Sequence, residues 1–257
     1  MLKSSSFKVD SRDAKLSMAH FYVAFVALAI GGFAGLLQVL VRTGKVSLPL
    51  GIDYYQVLTV HGVLLGLVLT TFFIMGFQFA AISRTTGGLT DLARKLGWIG
   101  FIVMTIGTAM AATMVLLKEA SVLFTFYAPL QAHPIFYIGL TLVVVGSWLA
   151  GAGMIINYVK WRKANPGKVS PLLTFMAIVN TVLWIVATIG VAATVLGQML
   201  PWSLNLVDTI DVLISRTLFW YFGHPLVYFW LLPAYMCWYV VIPKVLGMNV
   251  FSDSLAR

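Results

Sequence analysis

The chain has 257 residues, of which 60% are hydrophobic and only 10% are charged, and its mean hydropathy is +0.95. So apolar a composition cannot cover a water-facing surface, which makes lipid the main solvent. The net charge of +9 comes from short basic clusters between apolar runs. Such clusters are typical of membrane orientation, and we exclude nucleic acid as a partner. The single cysteine, Cys237, excludes an intramolecular disulfide and cysteine-ligated iron–sulfur or zinc sites within the chain.

Six apolar runs are long enough to cross a bilayer as helices, which takes roughly 20 residues each. They cover residues 19–41, 55–82, 96–117, 134–158, 172–200 and 217–242. Neither an internal repeat nor a domain boundary interrupts them. We therefore predict an all-α integral membrane protein with six transmembrane helices in a single membrane domain, residues 1–257. The polar, basic N-terminal tail lacks a small-residue cleavage site, so we expect it to be retained.

The basic residues are unevenly divided between the two ends of the predicted bundle. Four lie at one end: Arg42, Lys45, Lys118 and Arg216. Thirteen lie at the other end: Lys3, Lys8, Arg12, Lys15, Arg84, Arg94, Lys95, Lys160, Arg162, Lys163, Lys168, Lys244 and Arg257. Because the basic end faces the cytoplasm, both termini are predicted to be cytoplasmic.

The last residues, 251–257, contain helix-capping side chains just past a loop. This pattern is typical of the start of another helix. We therefore expect the chain to be truncated before a seventh helix.

The acidic residues all fall in predicted tails or loops, which argues against a carboxylate-based ion pump. They are Asp10, Asp13, Asp53, Asp91, Glu119, Asp208, Asp211 and Asp253. We interpret the charges of the predicted outer loops as solvated, with an exit path or docking surface as the alternative.

Two histidines, His61 and His224, lie inside different predicted helices, each roughly 10 Å below the outer surface. Neutral imidazoles at one depth could ligate iron or copper in one layer. The alternative is that each histidine packs between helices and bonds a carbonyl. Gly62, Gly66 and Gly223 favour ligation, because missing side chains leave room for a planar group, although they equally allow a close helix. We predict that the other two histidines, His20 and His133, are interfacial.

The sixth run carries a dense polar motif around His224. Tyr228 follows four residues later, which places its phenol over the imidazole on one helix face. Pro225 strains the same turn. Tyr235 and Tyr239 follow Tyr228 along the same helix face toward the cytoplasm. The three hydroxyls could form a proton path, or the tyrosines could fill helix interfaces and the interfacial aromatic belt.

Four segments closely resemble subunit I of B-type haem-copper oxidases. They are residues 58–64, 119–127, 165–168 and 215–235, and the similarity runs from about Lys15 to the last residue. A-type oxidases carry a glutamate two residues after the copper-ligating histidine, whereas this chain has Leu226 there. The B-type, with a single proton path, is the better match.

The resemblance implies a role for each matched residue. His61 is expected to be an axial ligand of a low-spin haem, and His224 one of three histidines on the copper that pairs with a high-spin haem. Tyr228 would become covalently bonded to His224 and supply a proton and an electron. Tyr235 and Tyr239 match hydroxyl positions of the proton-uptake path.

The family needs six metal-ligating histidines in this subunit, and only two are matched here. We therefore expect this polypeptide alone to be unable to reduce oxygen. The complete subunit would reduce O2 to water in a prokaryotic plasma membrane, coupled to electron transport and proton translocation. Its partners would be oxidase subunit II and either cytochrome c or quinol as donor.

Three other functions remain open. The chain could be a six-helix channel or transporter, although the lack of intramembrane carboxylates and of a repeat weakens that alternative. It could also be a non-catalytic relic. It could also be a nitric oxide reductase of the same superfamily. Those enzymes lack the cross-linked tyrosine, so Tyr228 argues against that alternative.

Overall fold

The structure, a computed structural model, describes residues 9–49 and 51–257. These residues form six helices that are long and apolar enough to cross a membrane, and they contain no strand. The helices are α1 (Ser11–Arg42), α2 (Tyr54–Thr86), α3 (Asp91–Leu116), α4 (Pro134–Ala164), α5 (Leu172–Ser203) and α6 (Val212–Leu246). The predicted all-helical, six-span fold is confirmed. Lys3 and Lys8, which were counted for orientation, lie outside the described residues.

The helices extend beyond the apolar runs because polar side chains cap them. Asp10 accepts a hydrogen bond from the Arg12 backbone N–H at 2.8 Å and starts α1 eight residues before the predicted run. Asp211 accepts from the Ile214 N–H at 2.9 Å and starts α6 five residues early. His61 is thus the eighth residue of α2 and His224 the thirteenth of α6. An equal depth for the two histidines no longer follows from counting along the helices.

At one end of the bundle, the start of α1 packs against the α2–α3 connection. The Asp13 side chain is fully buried and pairs with Arg94, Nε to Oδ1, at 2.7 Å. Its other oxygen accepts from the Ser83 hydroxyl at 2.6 Å and from the Leu89 N–H at 2.8 Å. The prediction that every acid lies in a tail or loop is wrong for Asp13 and Asp91, because both lie in first helical turns.

Helices α3 and α4 pack backbone to backbone through paired glycines. A Cβ added to Gly100 would lie 2.5 Å from the Gly146 carbonyl oxygen, and one added to Gly139 would lie 2.6 Å from that of Gly107. Small residues let the two backbones meet, which is how membrane helices gain van der Waals contact without a hydrophobic driving force.

Helix α5 lies between α2 and α6 and bonds to both. On the α2 side the Thr174 hydroxyl bonds that of Thr85, and the Thr181 hydroxyl donates to Gln78 Oε1 at 3.1 Å. On the α6 side the Trp184 and Phe229 rings pack with centroids 4.3 Å apart. Helix α5 therefore fixes α6 relative to the rest of the bundle.

Candidate metal and proton-transfer site

The ring of His61 is fixed by the neighbouring helix α1. Its Nδ1 lies 2.9 Å from the carbonyl oxygen of Gly31. Because a carbonyl only accepts, Nδ1 carries the proton, and the lone pair of the neutral ring then lies on Nε2. A Cβ at Gly35 would come within 2.6 Å of the same Nδ1, so glycine is needed there for the ring to fit. The half-buried imidazole thus presents Nε2 as its ligating atom.

The space beside Gly62 and Gly66, near His61 on α2, is filled by a loop side chain. A Cβ at Gly62 would lie 2.7 Å from Phe124 Cβ, and one at Gly66 would lie 2.8 Å from the Phe124 ring. The space inferred from these two glycines therefore accommodates Phe124. Gly223 is filled in a similar way, by the rings of Trp220 and Phe219.

The α3–α4 loop, residues 117–133, connects the neighbourhoods of the two histidines. Phe124 packs against Phe219 of α6 with centroids 6.0 Å apart, and Phe126 and Tyr127 contact the same ring at 5.2 and 5.5 Å. Burial raises the pKa of Tyr127. The Leu123 N–H donates to the Thr59 hydroxyl of α2 at 2.8 Å. The sequence indicated the 119–127 motif, but it did not indicate that this loop contacts both α2 and α6.

His224 and Tyr228 come together on α6. The imidazole Nε2 lies 3.0 Å from the phenol oxygen, and the ring centroids are 5.0 Å apart. Both side chains are exposed on a face of α6 that the five other helices do not cover. The bond to Tyr228 uses Nε2 and leaves Nδ1 of His224 for a metal.

Tyr235 and Tyr239 line one open crevice of about 500 Å³ near the end of α6. Tyr235 is half-buried, with its ring centroid 5.3 Å from that of Trp238, and Tyr239 is exposed. Phe251 of the C-terminal segment also lines the crevice. The structure places both lower tyrosines at one cavity, and Tyr228 lies outside it.

The other two histidines differ in environment. His133 is exposed and caps α4 by accepting from the Ile135 N–H at 3.3 Å. His20 is fully buried in α1, where its centroid lies within 6 Å of those of Phe72, Phe79 and Phe101. The interfacial prediction for His20 is therefore wrong, because α1 begins at Ser11 and carries the histidine into the bundle.

His61 and His224 suit metal ligation to different degrees. His61 has a fixed ring, a defined tautomer and a free Nε2, as a single axial ligand of haem iron requires. His224 offers one nitrogen. Among residues 9–49 and 51–257 no group of three His, Cys, Asp or Glu side chains could hold an ion. The described residues thus fit one axial haem ligand and one of several copper ligands.

The fold and these histidines define a multi-pass helical membrane protein with imidazoles on its membrane-spanning helices that are available to metals. Residues 15–257 match the family described as Cytochrome C and Quinol oxidase polypeptide I. The chain belongs to this family, the haem-copper oxidase subunit I family.

Two curated relatives and one solved structure show the extent of the similarity. Cytochrome c oxidase subunit 1 of Thermus thermophilus is 38% identical over 253 residues, which are 95% of this chain and 44% of the relative. The heme-copper oxidase subunit I+III of Aeropyrum pernix is 25% identical over 95% of this chain and 32% of its own length. A cryo-EM structure of a heme-copper terminal oxidase dimer has a TM-score of 0.87 and 42% identity, covering 92% of this chain and 41% of that one. The chain thus spans less than half the length of these relatives.

Proposed function

We propose that this chain forms part of the catalytic subunit of a B-type terminal respiratory oxidase. The complete subunit reduces O2 to water in a prokaryotic plasma membrane, coupled to electron transport and proton translocation. The observation that carries this proposal is the 3.0 Å contact between His224 Nε2 and the Tyr228 hydroxyl on the uncovered face of α6. A bonded imidazole–phenol pair combines a metal ligand with a source of a proton and an electron.

In this proposal His61 would hold the iron of a low-spin haem through Nε2. The hydrogen bond from Nδ1 to Gly31 O supports this role, because such a bond fixes the tautomer and raises the basicity of the other ring nitrogen. The imidazole ligand and an apolar shell around it would together set the redox potential of the haem.

His224 would hold copper through Nδ1, since its Nε2 faces the Tyr228 hydroxyl. The low-spin haem, the high-spin haem and the copper, when bound, supply one-electron transfer and oxygen activation. Tyr228 holds a proton at its phenol oxygen, adjacent to the imidazole. Leu226 lies between them in sequence and is fully buried toward the bundle, which places no carboxylate beside the pair and favours the B-type.

Tyr235 and Tyr239 deliver protons toward Tyr228 from the cytoplasmic side. The crevice that both line supports this role, because it lies beside the C-terminal segment at the end assigned to the cytoplasm by its basic residues. Tyr235 is seven residues from Tyr228, roughly 10 Å along the helix, so water or further side chains must bridge the gap. Protons drawn from the cytoplasm then move charge across the membrane, worth roughly 2.3 kcal/mol per charge per 100 mV.

The partners follow from the same proposal. The uncovered face of α6 contacts the remainder of the catalytic subunit, which supplies the copper and haem ligands that the described residues do not include. Oxidase subunit II docks on the assembled subunit, and cytochrome c or a quinol donates the electrons.

Oxygen consumption and copper content of the complete oxidase test this function. His224→Ala removes a copper ligand and should abolish both, while His133→Ala, an exposed histidine outside the bundle, should leave both intact. A complete protein that contains no copper and consumes no oxygen would contradict the proposal and restore the transporter or relic.

A further inference from the structure

Pro233 leaves one backbone carbonyl of α6 without its normal partner. In an α-helix the N–H of residue i bonds the carbonyl of residue i−4, and proline has no N–H. The carbonyl of Phe229 therefore lacks its intrahelical donor, although α6 continues from Val212 to Leu246. In the hydrocarbon region such a carbonyl is satisfied by a neighbouring helix, a nearby side chain or an ordered water.

Asn180 of α5 supplies the missing donor. Its Nδ2 lies 3.3 Å from the Phe229 carbonyl oxygen, and the whole side chain is buried. The orientation of the amide follows from the bond, because a carbonyl can only accept and the NH2 group must face it. Trp184, one helical turn further along α5, packs on the Phe229 ring and restricts the same residue from the side.

Asn180 also stands next to the contact between α5 and α2. The adjacent residue, Thr181, donates to Gln78 Oε1 of α2 at 3.1 Å. Two consecutive residues of α5 therefore hydrogen-bond to different helices, Thr181 to α2 and Asn180 to α6. Since α2 carries His61 and α6 carries His224, this pair links the helices that hold the two candidate metal ligands.

We propose that Asn180 is a positioning residue that satisfies the carbonyl freed by Pro233 and so fixes the course of α6 around that proline. Pro233 lies between Tyr228 and Tyr235, the two hydroxyls whose alignment the proposed proton path needs. Loss of the Asn180 bond would leave the Phe229 carbonyl unpaired and allow α6 to bend at Pro233. The role in proton delivery rests on the proposed function, whereas the hydrogen bond does not.

The test uses the complete oxidase with Asn180→Leu in two backgrounds, natural Pro233 and Pro233→Ala. Infrared spectra of protein labelled with carbonyl-13C phenylalanine report the Phe229 carbonyl. Asn180→Leu should shift a labelled amide band to higher wavenumber in the Pro233 background. It should cause no shift in the Pro233→Ala background, because the new Ala N–H bonds the carbonyl.

Oxygen-consumption rate gives the second readout. Asn180→Leu should slow turnover about tenfold with Pro233 present, since small misplacements of reacting groups are costly, and should have little effect with Pro233→Ala. The matched control is Thr181→Val, which removes a buried hydrogen bond at the same depth of α5 without touching α6. This control should give the same result in both backgrounds.

An unchanged band, an unchanged rate, or an effect of Asn180→Leu that is equally large in the Pro233→Ala background would overturn the proposal. If Asn180→Leu alone does not assemble, assembly of the double variant supports it and failure of both contradicts it. A complete protein that consumes no oxygen would refute the proposed function, while the infrared shift would still decide whether Asn180 satisfies the carbonyl.

Discussion

The imidazole of His61 on α2 donates a hydrogen bond from Nδ1 to the carbonyl oxygen of Gly31 on α1, across 2.9 Å. This bond joins residues thirty apart in sequence and determines which ring nitrogen is free.

Gly35→Ala should weaken low-spin haem binding by about 10-fold to 100-fold, as loss of ligand orientation does in metal sites. The added Cβ would lie 2.6 Å from His61 Nδ1 and displace the ring. Reduced-minus-oxidised spectra of the complete oxidase measure the effect. Gly32→Ala is the control, because a Cβ there meets nothing within 4 Å. Equal spectra for the two variants would refute the account of the His61 pocket.

Tyr228→Phe should lower oxygen consumption by about 100-fold or more, because it removes the group placed to supply a proton beside His224. Haem spectra should stay unchanged, since the phenol does not touch His61. Tyr221→Phe serves as the control, an exposed tyrosine two turns earlier on α6. Full turnover in Tyr228→Phe would contradict the assigned role.

Asp13→Leu should destabilise the protein by about 3 kcal/mol or more, because it leaves the Arg94 guanidinium short of its buried partner. Thermal unfolding in detergent measures this change. Asp91 bonds the same guanidinium at 2.7 Å, but its side chain is 94% exposed. Asp91→Asn should therefore cost only a small fraction of that amount. Similar losses in both variants would show that burial does not control this network.

Gly107→Leu should destabilise the bundle by about 1–3 kcal/mol or prevent assembly, because α3 and α4 meet backbone to backbone at Gly107 and Gly139. Gly197→Leu is the matched control, since a Cβ on Gly197 has open space around it. Yield and thermal midpoint measure the difference. A stable Gly107→Leu protein would contradict the close packing of these helices.

The six spans could be predicted because the hydrophobicity that lets a segment cross a bilayer is a property of that segment alone. His61 and His224 were identifiable for a related reason, since polar side chains are rare inside such runs. The helix ends were predicted less well, because caps such as Asp10 and Asp211 extend helices beyond the apolar runs.

Contacts between distant residues could not be predicted from local pattern. The Asp13–Arg94 pair joins residues 81 apart, and nothing near Asp13 signals that it is buried. Phe124 fills the space at Gly62 and Gly66, although the glycines alone equally fitted a planar ligand. Asn180 did have a signal, because an amide in one apolar run and Pro233 in another each need a partner, but the sequence does not say that they meet.

The role of His61 is tested by the reduced-minus-oxidised spectrum of the complete protein with His61→Ala, compared with His133→Ala. Two haem signals are expected in the natural protein and in His133→Ala, and His61→Ala should lose the low-spin signal alone. A low-spin signal that survives His61→Ala, or no haem signal in the natural protein, would contradict the assignment of His61 as a haem ligand.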